Sequence, residues 1–128
     1  MPVRQAVTIV RAPLSAERPL SDLDALIAAP DQHRLLLETD RVRVLDTRIG
    51  PGERTPVHTH RWPAVHYVLS WSPFVRRDAE ERVLVDTRTQ PSSPAAGAAL
   101  WGEPLGPHSL ENVGMTPIHI VSVEIKSS

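Results

Sequence analysis

Gly50 to Ser70 reads GPGERTPVHTHRWPAVHYVLS, and this stretch decides the fold. Residues i and i+2 of an extended strand project to the same side, so His58 and His60 can turn two imidazoles toward a single ion. By the same parity Ala64 and His66 share a side. If position 64 faces the interior, His66 does too, about 7 Å further along. A second stretch, Gly102 to Gly114, reads GEPLGPHSLENVG. Its turn residues Pro104, Gly106 and Pro107 would aim His108 from the start of a strand.

Together the two stretches resemble the paired motifs of the cupin superfamily. The first motif, a glycine followed after five residues by H-x-H, is matched by Gly52, His58 and His60. The second, a proline and glycine turn followed by a histidine with an asparagine four places on, is matched by Pro104, Gly106, His108 and Asn112. The resemblance covers roughly 35–125 and implies an all-β, cupin-type double-stranded β-helix (a jelly-roll barrel) with a short N-terminal helix. It also implies one divalent transition metal ion (Zn, Ni, Fe, Mn or Cu), held by His58, His60 and His108. The turn before His108 is one residue shorter than the common form, and Ala64 stands where cupins carry a metal-ligating glutamate. His66 is thus the candidate for the vacated position, as a ligand or as a hydrogen-bond donor behind the ligands. A set of neutral imidazoles favours transition metals over the oxygen-seeking Mg and Ca.

The composition bounds the rest. A chain of 128 residues fits one domain, divided here into an N-terminal strand and helix over 1–34, a candidate for packing on a partner subunit, and a barrel over 35–128. With 41% hydrophobic residues and a formal net charge of -1, nothing in the charge balance calls for nucleic acid. The absence of cysteine excludes thiolate nucleophiles, thiolate metal sites and disulfides, so any ion must be held by nitrogen or oxygen. The apolar run at Ala6 to Val10 is too short for a secretory core or for the ~20 residues that span a bilayer, which makes the cytoplasm the default compartment and a membrane partner unexpected.

Thirteen prolines and six glycines cut the chain into strand-length pieces. Strands are expected over 7–10, 35–38, 41–49, 66–71, 74–77, 83–86 and 118–125. The last of these has both sides covered, and 87–99 forms a mobile loop. One helix is expected over 21–29: Ser21 can cap it, Leu23, Leu26 and Ile27 recur at helical spacing, and Pro30 stops it.

Trp62, Ala64 and Tyr67 are the expected pocket residues, with Trp71 assigned to the core or an interface. His33 and His119, lacking partners at ligand spacing, read as structural or solvated. No G-x-S-x-G elbow, phosphate-binding glycine loop or H-E-x-x-H helix is present. Two functions stay open. One is a metal-dependent oxidoreductase, isomerase or lyase acting on a small molecule. The other is a non-catalytic module that binds or senses a small ligand, with or without metal. Cupins commonly pair through their sheets, so a homodimer is the expected assembly.

Overall fold

The computed structural model describes residues 3–4, 20–90 and 92–127. Ten strands and one short helix follow one another: β1 (Val3–Arg4), α1 (Ala25–Ala28), β2 (His33–Thr39), β3 (Val42–Ile49), β4 (His58–His60), β5 (Ala64–Ser70), β6 (Phe74–Asp78), β7 (Val83–Asp86), β8 (Ala99–Gly102), β9 (Leu105–Asn112) and β10 (Ile118–Ile125). They form a six-stranded sheet in the order β1-β2-β3-β10-β5-β8 and a four-stranded sheet in the order β4-β9-β6-β7. Every pairing within them is antiparallel. This is the all-β, two-sheet jelly roll expected from the sequence.

The alternation of β3 resolves in favour of its odd residues. Arg43, Leu45 and Ile49 are buried, and a charged residue therefore faces inward among apolar ones. β10 lies between β3 and β5 and turns Ile118, Ser122 and Glu124 into the interior. A first apolar cluster joins Ala25, Leu35 and Leu45 beneath α1. A second links the two sheets through Ile49, Phe74 and Ile118, with Trp71 packed against it.

The helix is shorter than expected. A turn of 3-10 helix spans Leu20–Leu23, and Asp24 rather than Ser21 caps α1, its carboxylate accepting from the Leu26 amide at 3.1 Å. A backbone bridge between Asp24 and Thr59 ties this cap to β4. The expected 34/35 boundary falls inside β2, and the expected strand over 7–10 lies outside the described residues. β1 pairs with β2 of the same chain, Val3 opposite Thr39 and Arg4 opposite Glu38.

Candidate metal centre

Antiparallel register sets His58 of β4 directly opposite His108 of β9. The same local device holds both rings. Nδ1 of His58 donates to the Pro56 carbonyl at 2.8 Å, and Nδ1 of His108 donates to the Gly106 carbonyl at 2.7 Å. His60, two residues along β4, turns Nδ1 toward the Glu124 carboxylate at 3.4 Å.

A fourth ring arrives from outside both motifs. His33 opens β2 and donates Nδ1 to the carbonyl of Ala29, the residue that ends α1, at 3.0 Å. His33, His58 and His60 present ligand atoms within 4.8 Å of one another. The His108 ring centroid lies 4.4 Å from that of His58 and 5.4 Å from that of His60. The structure therefore moves His33 from the structural or solvated class into the cluster. Sequence spacing could not find it, because the fold of the chain around Ala29, and not a local repeat, brings it to β4.

A carbonyl oxygen only accepts hydrogen bonds, so the rings of His33, His58 and His108 must carry their proton on Nδ1. In the neutral ring this leaves a lone pair on Nε2, the atom a metal takes. Burial enforces neutrality. It lowers the pKa of His33 to about 3, with help from His58 and His60. It lowers those of His60 to about 3 and His108 to about 2, again with neighbouring rings adding to the effect, and it lowers that of His58 as well. Among the described residues no hydrogen bond engages Nε2 of these four rings.

Glu124 stands across the strand pair from Ala64, both buried on the inner face. Its carboxylate accepts from Nε of Arg43 at 2.6 Å, while the terminal nitrogens of Arg43 reach Asp24 at 2.9 and 2.8 Å. Burial raises the Glu124 pKa against the pull of Arg43. The interior thus keeps a carboxylate near the position that Ala64 vacates, but on the neighbouring strand and behind His60.

His66 points inward from β5, as parity required, with Nδ1 2.7 Å from the Ser122 hydroxyl. Its ring lies over Gly102, where a Cβ would run into Nε2. It borders the same cavity as the cluster without joining the His33, His58 and His60 set. Tyr67 was expected in the pocket and is not there. It follows His66 by one residue, so strand alternation puts it on the outer face, 46% exposed. Trp62 borders a different cavity of about 480 Å³, shared with Arg43 and His60. The Trp62 ring is met there by Arg43 at 5.0 Å, Arg61 at 4.6 Å and Lys126 at 5.5 Å. Ala64 is buried, and His119 pairs with Asp46 at 2.6 Å, a structural role.

The cavity beside the cluster, about 320 Å³, is bordered by His33, His58, His60, His66 and His108 on one side. Trp71, Phe74, Leu110 and Ile120 supply apolar wall, and Arg76 enters from β6.

No protein-family model matches the chain, and no curated protein does either. Solved structures do. A cupin domain from Bordetella pertussis Tohama I superposes with a TM-score of 0.59 at 22% identity, covering 74% of this chain and 92% of that one. A protein with a double-stranded β-helix domain from Klebsiella pneumoniae gives 0.50 at 19% identity over 87% and 90% of the two chains. An RmlC-like cupin family protein from Methanocaldococcus jannaschii gives 0.51 at 11% over 73% and 77%. The chain is a small protein with the double-stranded β-helix fold of the cupins, and three histidines inside that fold stand close enough to bind a metal ion.

Proposed function

We propose that the protein holds one divalent transition metal ion on His33, His58 and His60, with His108 as a further ligand, and acts on a small molecule admitted to the adjoining cavity. The observation that carries this reading is the close approach of His33, His58 and His60, together with a hydrogen-bonding pattern that three of the rings share. His33, His58 and His108 each spend Nδ1 on a backbone carbonyl, which leaves Nε2 available to an ion. Such outer contacts fix the tautomer and pose of metal-binding histidines. Four neutral nitrogen donors fit Zn, Ni, Fe or Cu and fit the oxygen-seeking Mn, Mg and Ca less well. When bound, the ion would supply Lewis-acid polarisation of a ligand oxygen. Glu124 would orient His60 and raise its basicity, and the apolar wall would exclude water from the bound molecule.

Elemental analysis of untagged protein tests the reading: about one equivalent of transition metal per chain is expected. His58→Ala and His33→Ala should each strip the metal while far-ultraviolet circular dichroism stays unchanged. Metal at background in the wild-type protein would leave the non-catalytic ligand-binding alternative, which the same cavity supports.

We further propose a homodimer. Val65, Tyr67 and Leu69 line the outer face of β5 at 37%, 46% and 43% exposure, an apolar row of the kind that sheet-to-sheet pairing covers. Light scattering after chromatography should give twice the monomer mass, and Leu69→Asp should halve it. No helix among the described residues is long and apolar enough to cross a membrane.

A further inference from the structure

Two arginines reach the barrel interior, and they are treated differently. Arg43 is neutralised from two sides by Asp24 and Glu124. Arg76 lines the histidine cavity, yet its Nε is buried without a hydrogen-bond partner, and among the described residues no carboxylate pairs with its guanidinium. The acids of its own and adjoining strands are engaged elsewhere: Asp78 with Arg82, Asp86 with Arg88 and Glu111 with Arg77. The Phe74 ring, 5.3 Å away, compensates only part of the lost solvation.

A half-buried guanidinium whose Nε is shut away from solvent without a partner is costly unless one arrives. Strand parity explains its placement: Phe74 and Arg76 share a side of β6, so the residue that follows the apolar wall by two projects into the same cavity. Its charge reaches His58, His66 and His108, whose protonation it disfavours alongside the larger effect of burial. The charge balance calls for an anion. With Asp24 and Glu124 spent on Arg43, Arg76 and a divalent ion would face each other with one negative charge against three positive ones.

We propose that Arg76 receives the carboxylate of a small organic acid, whose apolar remainder lies against Trp71, Phe74 and Ile120 beside the histidine cluster. The guanidinium fork matches a planar carboxylate through two parallel hydrogen bonds, and a cavity of about 320 Å³ suits a ligand of a few carbons to one ring. The inference rests on the metal reading only for the charge of the ion. The guanidinium asks for an anion with or without it.

The test uses the untagged full chain, with metal content measured on each sample. Benzoate, its neutral counterpart benzamide, and inorganic phosphate are titrated by calorimetry, with tryptophan fluorescence as a second readout because Trp71 borders the cavity. Benzoate is expected to bind at least ten-fold more tightly than benzamide or phosphate. Arg76→Met should abolish that preference while leaving the metal content unchanged, with Arg76→Lys falling between. Removal of a charge whose Nε is buried without a partner should also raise the Tm of the ligand-free Met variant, an outcome that a merely structural arginine would reverse. Benzoate bound no better than benzamide, tighter binding of phosphate, no binding by the wild type, or undiminished benzoate binding by Arg76→Met would each overturn the assignment. Should Arg76→Met fail to fold, the Lys variant and the wild-type preference decide it. Metal at background with the benzoate preference intact would sink the metal reading and leave this one standing.

Discussion

Asp24 does two jobs with one carboxylate. It caps α1 at the Leu26 amide and it binds both terminal nitrogens of Arg43, which is itself 6% exposed. Asp24→Ala would remove the cap and leave a buried guanidinium half-neutralised, since Glu124 meets only its Nε. A loss of about 3 kcal/mol is expected, because stranding one member of a buried ion pair generally costs about 3 to 5 kcal/mol. Denaturant unfolding would read it, and a loss below about 1 kcal/mol would contradict the pairing. Glu124→Gln asks a different question. It keeps the shape behind His60 but not the charge, and removing such an outer partner should weaken metal binding by roughly ten- to a hundred-fold. Competition against a chelator measures this, with unchanged affinity as the result that would deny Glu124 its role. Gly102→Ala places a Cβ in the His66 ring and should cost roughly 1 to 3 kcal/mol by overpacking.

At the scale of elements, Asn112 fastens the end of β9. Its Nδ2 donates to the carbonyls of Ile49 and Thr116, both at 2.9 Å, and its Oδ1 accepts from the Gly114 amide at 3.0 Å. The second motif's asparagine is thus a strap between β9, β3 and the turn that leads to β10. Asn112→Ala should cost about 3 kcal/mol, since it leaves buried backbone groups without partners, and thermal unfolding would show a lowered Tm. Strands with apolar alternation were legible in the sequence: 83–86 and 118–125 match β7 and β10 to the residue. β8 and β9 were not. Ala99–Gly102 begins at the last residue of the loop expected over 87–99, and no alternation marks the residues that follow. Pro104, Gly106 and Pro107 predict a turn, but the last two lie within β9, where a register shift between His58 and His60 absorbs them. The shared side of His58 and His60 on one strand is legible because their spacing is local. His33 and Glu124 were not, since a long-range pairing carries each of them to the centre. The outward face of Tyr67 is legible too, because the parity that turns His66 inward sends its neighbour out.

For the whole molecule, burying neutral histidines makes stability depend on pH. The folded pKa values of His33 and His108, about 3 and about 2, lie below the ordinary value of 6.5. Between those limits the unfolded chain binds protons that the folded chain refuses. Stability is therefore fully present above about pH 7 and falls as the pH drops through 6.5 toward 3. For these two residues the loss between pH 7 and pH 5.5 should be roughly 2 kcal/mol in the metal-free protein. Urea titrations at the two pH values check it, and equal or greater stability at pH 5.5 would contradict the buried, uncharged state of the rings. Adding the metal should restore much of the loss, as an ion that binds only the folded chain shifts the balance by mass action.

The placement of Glu124 opposite Ala64 also constrains how such a centre can be redesigned. Writing a glutamate at position 64 alone would set two acids side by side in a buried space, and one would have to take up a proton or push its strand outward. Giving the centre an acidic ligand at position 64 therefore requires paired changes, with the carboxylate at 124 withdrawn as the new one enters. The order of those two steps decides whether the intermediate protein folds.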